Sequence, residues 1–254
     1  MRRPKAEGRP AVSRLAFHLS TLALPLYAVA GLRLRARTHR FPPADGPVFG
    51  HALSADGEGD GKNRLRLLVL GDSSAAAVGI ARQEDGLAPC VAAQLARRHR
   101  CGVDWRAAGF NSATTGMLRD HVVHNLEPAP YSHILISAGF NDLKNFHSGR
   151  RFRREFGGLI YALKARFPES RIYWSQVLAP DDVPALTPLV RTILRPRAVE
   201  IVRLGRCLCR ERGVTAIPAT KGLPRRAFCA DGIHPSEEGF AGWAEHVAEH
   251  MNAD

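Results

Sequence analysis

The sequence predicts an α/β protein, a three-layer α/β/α sandwich built on a five-stranded parallel sheet. Three observations lead there. Apolar runs of strand length recur at 65–70, 103–107, 133–138, 171–177 and 214–217, and the first is nearly continuous, as a strand covered on both faces requires. Helix-length segments follow at 86–99, 113–126, 152–166, 188–212 and 236–250, several ending near Gly or Pro. This alternation builds a parallel sheet wrapped by helices on both faces. With 254 residues and 45% hydrophobic content, the chain can bury one substantial core, so one domain with extensions is expected.

The extension at residues 1–40 is basic. It holds nine of the 36 Lys and Arg residues against Glu7 alone, a net of +8 out of the chain's +12. The excess therefore belongs to this segment and not to a groove on the domain, which argues against a nucleic-acid partner. Between Arg14 and Arg33 lie eighteen residues without a formal charge, LAFHLSTLALPLYAVAGL, about 27 Å as a helix and barely a bilayer core. Three readings compete: an anchor held by basic clusters at both ends, a signal peptide with a small-x-small site at Ala28-Val29-Ala30, and an amphipathic or buried helix packed on the domain. The arginines after the apolar run oppose export, so membrane association is expected, its side unresolved, with an exported or cytoplasmic location as the alternatives.

Residues 41–63 read as a flexible linker. Pro42, Pro43 and Pro47 stiffen its first part, and Gly57, Gly59 and Gly61 interleaved with acidic residues loosen its second. The folded domain is expected over 64–254.

It begins with RLRLLVLGDSSAAAVG, residues 64–79. Gly71 lets the backbone turn sharply after the strand, and Ser74, Ala75, Ala76 and Ala77 allow a tight helical start against the sheet. On this stretch alone, Asp72 or Ser73 is equally an ordinary helix N-cap. In a parallel sheet, however, ligands gather beyond the carboxyl ends of the strands, and the polar punctuation of the chain sits there. Gly71-Asp72-Ser73 follows the first run, Gly109 to Thr115 the second, Gly139-Phe140-Asn141-Asp142 the third, and Asp231-Gly232-Ile233-His234 the fifth. A nucleophile, an amide donor and an Asp/His pair thus come to one edge.

Through Gly71-Asp72-Ser73, the G-x-N-D of Gly139, Asn141 and Asp142, and the D-x-x-H of Asp231 and His234, the chain resembles the SGNH hydrolase superfamily of GDSL-type lipases and esterases over about residues 64–250. The resemblance implies a flavodoxin-like fold and a serine hydrolase acting on carboxylic esters. Ser73 would attack the acyl carbonyl, His234 would take and return the proton, and Asp231 would orient and stabilise the imidazole. Asn141 would donate its side-chain amide to the oxyanion beside backbone N–H groups of Ser73 and of the second block, while Asp142 would be structural. In that second block the family pattern G-x-x-G-x-T puts Ser112 where a glycine is usual. A backbone donor survives there if φ suits a residue with a Cβ; Gly109 is the other candidate. No cofactor and no metal is expected.

Phe140, Leu143, Phe146 and Leu178 lie beyond strand ends, where they would line an acyl or alcohol pocket or belong to plain connections. The apolar N-terminus favours a lipid-derived or lysophospholipid ester as the small-molecule partner. A carbohydrate O-acetyl esterase or an acyltransferase on the same scaffold is the alternative, and a non-catalytic binding protein the third. His121, His124 and Glu127 have helical spacing but no further ligand of recognisable spacing, and read as a solvated face. The five cysteines, an odd number without framework spacing, read as reduced thiols. The oligomeric state stays open.

Overall fold

The structure, a computed structural model, describes residues 11–37, 41–53 and 64–252. Its centre is a six-stranded sheet in the order β1-β3-β2-β4-β5-β6. Strands β2 (Leu65–Gly71), β3 (Val103–Gly109), β4 (His133–Ser137), β5 (Arg171–Ser175) and β6 (Thr215–Ile217) run parallel and correspond to the five apolar runs. Alternation within β2 explains its near-continuous hydrophobicity: Leu68 and Leu70 enter one core, Leu67 and Val69 the other. Burying each of these side chains contributes about 1.5–3 kcal/mol relative to exposure.

Helices α6 (Gly149–Arg166) and α7 (Pro188–Glu211) cover the first face, packing Phe152, Phe156 and Leu194 around Trp174. On the opposite face, α3 (Leu87–His99) and α8 (Glu237–Ala248) pack through Leu87, Val91 and Leu95 and through Phe240, Ala244 and Val247. Both sets follow the three-to-four residue spacing of one helical stripe.

The sixth strand corrects the expected strand count and half of the expected linker. Residues Phe49–Ala52 form β1, antiparallel to β3, with Phe49 opposite Arg106. Just before it, Ala44 and Asp45 donate backbone hydrogen bonds to Ala76 and Ala81. An exposed sheet edge leaves unpaired N–H and C=O groups, and this short strand covers the edge that β3 would otherwise present. The glycine-rich half of the expected linker, 54–63, lies outside the described residues.

Two helix expectations also change. The predicted helix at 113–126 is broken into one α-turn, α4 (Thr115–Met117), a π-turn (Leu118–Val122) and a 3₁₀ turn (Val123–Asn125). After β2, the small residues make a series of tight turns that stop at Ala77 (φ +47°) and Gly79 (φ +109°), and the next α-helix starts only at Leu87. The apolar N-terminal stretch forms α1 (Ala11–Leu22) and α2 (Leu24–Arg37), bent by 67°. Pro25 sits in the first turn of α2, where its missing N–H is tolerated. Among the described residues, no single helix is long and apolar enough to cross a membrane. Instead α1 packs on α7, and Tyr27, Ala30 and Leu34 of α2 rest against the core.

Candidate active site

The carboxyl ends of the central strands are in register, Gly71 lying opposite Gly109 on one side and Ser137 on the other. From β2 the chain steps out to β3 and then crosses back to β4, so the winding reverses beside β2, the place where an open parallel sheet leaves a crevice. Close packing fixes two glycines there. A Cβ on Gly71 would lie 2.2 Å from Ser137 Oγ, and one on Gly109 would lie 1.8 Å from the Gly71 carbonyl oxygen. Gly109 therefore serves close strand packing; it is not among the residues lining the cavity beyond the sheet, whereas Ser112 is.

Beyond Gly71, the Asp72 carboxylate is the local organiser. Its Oδ1 accepts from Ser74 N and Ser74 Oγ, both at 3.1 Å, and its Oδ2 accepts from Asn141 Nδ2 at 3.0 Å. The turn after β2 is thereby tied to the one after β4. Burial pushes Asp72 above its ordinary carboxylate value, against the opposing pull of the Ser74 hydrogen bonds, Lys144 and His234. Ser73, half-buried, opens into a cavity of about 750 Å³ that Asn141, Ser112 and His234 also line.

The three-residue spacing of Asp231 and His234 has a local explanation. Asp231 Oδ1 accepts the backbone N–H groups of Ile233 (2.9 Å) and His234 (3.1 Å), while Oδ2 lies 2.5 Å from His234 Nδ1. One carboxylate, its side chain fully buried, folds the loop and holds the ring; Gly232 at φ +68° makes the turn. Burial alone would raise Asp231, but the His234 ring and the two backbone donors outweigh it and hold it below the ordinary carboxylate range. With Nδ1 engaged, Nε2 is the ring nitrogen left to act in the cavity.

Asn141, just inside the short helix α5 (Phe140–Lys144) after Gly139 (φ +122°), has both amide hydrogens engaged. Nδ2 donates to Asp72 Oδ2 and, at 2.9 Å, to the Ala113 carbonyl oxygen. An oxyanion would have to draw one of them away. Ser112 lies at φ +66°, in the left-handed region that favours glycine. A residue with a Cβ enters this region at a cost and is not barred from it, so the Ser112 N–H stays available to the cavity while the backbone carries strain where the resembled pattern has glycine. Asp142 accepts from Thr115 N (3.0 Å) and Thr115 Oγ1 (2.8 Å) and meets His147 Nδ1 at 3.2 Å, bracing the second block against the third.

Of the four expected lining residues, Phe140 and Leu178 face the cavity and Leu143 and Phe146 do not. Leu143 is fully buried in the core. Phe146 turns at φ +56° onto Tyr27, ring centroids 4.4 Å apart, beneath the Arg197 guanidinium. The sequence reading missed the opposite wall: Tyr27, Gly31 and Leu34 of α2, Phe41 after it, and Val190 and Leu194 of α7. Tyr27, Gly31 and Leu34 share one helical stripe, but nothing in that spacing points to the cavity. His121, His124 and Glu127 are exposed, Glu127 pairing with Arg106 at 3.4 Å. All five cysteines are free thiols.

The fold and the cavity define the chain as a three-layer α/β/α protein with a candidate active site at this edge of its parallel sheet. The comparisons narrow the class. The sequence model of the GDSL-like lipase/acylhydrolase family matches residues 69–241; the chain belongs to that family and is an ester-hydrolysing enzyme. No curated protein sequence matches it. Among solved structures it resembles TesA (19% identity, TM-score 0.60, covering 74% of this chain and 98% of that one). It also resembles the psychrotrophic esterase EstA from Pseudoalteromonas sp. (16%, 0.55, 73% and 95%). A third likeness is to Est24, a carbohydrate acetylesterase from Sinorhizobium meliloti (19%, 0.51, 73% and 97%). At these identities the likenesses establish the fold.

Proposed function

We propose that the chain hydrolyses carboxylic esters with an apolar acyl chain through a Ser73–His234–Asp231 triad and an acyl-enzyme on Ser73. The observation that carries this reading is the buried Asp231 carboxylate 2.5 Å behind His234 Nδ1, with His234 and Ser73 opening into one cavity. His234 Nε2 takes the Ser73 hydroxyl proton as Oγ attacks the carbonyl carbon, and Asp231 stabilises the imidazolium that forms. Backbone N–H groups of Ser73 and Ser112 and the Asn141 amide receive the oxyanion. The imidazolium then protonates the leaving alcohol, and the ester is now on Ser73. In the second half, His234 deprotonates a water that releases the carboxylic acid and regenerates the hydroxyl.

Phe140, Val177, Leu178, Leu186 and Leu194 among the lining side chains favour an acyl chain over a sugar. The test is a panel of p-nitrophenyl esters of graded length run beside acetylated sugars. The proposal expects turnover of medium or long acyl esters, lost in Ser73→Ala. Preference for sugar acetates would transfer the reading to a carbohydrate esterase, and turnover retained by Ser73→Ala would remove the triad.

A further inference from the structure

We infer that the bent α1–α2 segment is an interfacial membrane-docking element. Its outer face rests on an anionic lipid surface while its inner face roofs the ester cavity, so that acyl esters enter from the lipid. The inference rests on the reading of Ser73 as the ester-cleaving serine.

The two faces are separate in the structure. Inward, Tyr27, Gly31 and Leu34 line the cavity, at the i, i+4, i+7 spacing of one helical stripe. Outward, Leu19, Leu22, Leu24, Leu26, Val29 and Leu32 are 43–78% exposed. These are six of the thirteen large apolar side chains exposed among the described residues, all within fourteen positions. A contiguous exposed apolar patch marks an interaction surface.

Charge chooses the occupant. Arg2, Arg3, Lys5, Arg9 and Arg14 precede the apolar stretch and Arg33, Arg35, Arg37 and Arg40 follow it, with Glu7 the single acidic residue of the first forty. Apolar side chains flanked on both sides by basic ones match a surface of anionic headgroups over acyl chains.

Packing chooses the geometry. Lipid cannot surround α2, because the Tyr27 hydroxyl donates to the Lys144 carbonyl oxygen at 2.8 Å and its ring packs, tilted, against Phe146. Lipid cannot surround α1 either: Arg197 of α7, itself buried, lies 4.5 Å over the Phe17 ring and donates to Ser20 Oγ and Thr21 Oγ1 at 3.4 Å. A helix pair held to its domain along one side, and bent by 67°, lies in the plane of the interface and does not cross it. Among the three readings of this stretch, the structure therefore favours the packed amphipathic helix and adds a lipid surface to its free side.

The experiment uses the full chain with vesicles of phosphatidylcholine alone and of phosphatidylcholine with a quarter phosphatidylglycerol. Co-flotation should be several-fold stronger with the anionic vesicles and weaken as salt rises. Leu26→Asp and Leu32→Asp, both outside the cavity lining, should each lower it about tenfold or more. Hydrolysis of a water-soluble butyrate should stay unchanged in both variants, while hydrolysis of a vesicle-embedded long-chain ester falls with binding. Alkaline carbonate should strip the wild type from the vesicles. Wild type that does not float, variants that float like wild type, resistance to carbonate, or an outer face hidden in a dimer that ignores vesicles would each overturn the inference. The soluble butyrate separates the two levels: if it is cleaved and vesicles are not bound, the docking alone fails, whereas no cleavage of any ester removes the reading beneath it.

Discussion

The floor and the roof of the cavity are built by different means. The floor, Ser73 and Asn141 at strand ends with Asp231 and His234 in the loop before α8, is fixed by hydrogen bonds that the buried Asp72 and Asp231 carboxylates accept. The roof, α2 with Phe41, comes from a segment outside the matched family region. It is held by the Tyr27 hydroxyl, by ring packing on Phe146 and by the Arg197 clamp on α1. The floor thus carries the reacting groups and the roof supplies lining alone. Changes to the floor should act on kcat, and changes to the roof on which esters are accepted.

The largest effect expected on the floor is that of Asp231→Asn. Losing the partner that fixes the imidazole tautomer should cut kcat by about 10⁴-fold with little change in KM, measured by steady-state hydrolysis of a soluble ester. A smaller loss, about 10²–10³-fold, is expected for Asn141→Ala from the missing oxyanion donor. Because Asn141 also bridges Asp72 and Ala113, that variant should melt earlier as well, which thermal denaturation would read.

On the roof, Tyr27→Ala should leave short-ester turnover within about twofold and raise KM for long-chain esters about tenfold, the order expected for losing one buried aromatic contact. Equal losses on short and long esters would erase the distinction between floor and roof. The smallest effect should be Ser112→Gly. Relief of the left-handed φ is worth about 1–2 kcal/mol, so activity should be kept and the chemical-denaturation midpoint should rise.

Acid adds a further difference. Asp231 is held below its ordinary value of 3.8 in the folded chain, so in mild acid the unfolded chain binds the proton first. The stabilisation from Asp231 is complete above the unfolded value and is lost as pH falls through the folded one. Denaturation at about pH 6 and about pH 3.5 should show wild type losing more stability than Asp231→Asn between the two; equal losses would mean that the His234 contact contributes nothing to folding.

What the sequence disclosed follows the same division. β2, β4 and β5 were legible because their apolar runs are buried on both faces, β3 and β6 through their place in the strand–helix alternation, and the polar residues at the strand ends because parallel register brings those ends together. Asp231 and His234 were readable as a pair because three residues suffice to close their loop. The roof was not readable: Tyr27, Gly31 and Leu34 meet the cavity only through tertiary packing with Phe146 and α7, and their stripe lies inside a stretch apolar enough to suggest a membrane. β1 escaped notice because its pairing answers a need of β3, not a pattern of its own. Phe146 was misplaced because its positive φ turns the ring toward Tyr27, which spacing alone does not reveal.

The central claim is that Ser73 is a nucleophile activated by His234 and Asp231. Treating the folded chain with a fluorophosphonate and mapping the adduct by mass spectrometry tests it most directly. A single adduct on Ser73 is predicted, absent in Ser73→Ala and formed much more slowly in His234→Ala. An adduct elsewhere, or a Ser73 adduct formed as fast without His234, would contradict it.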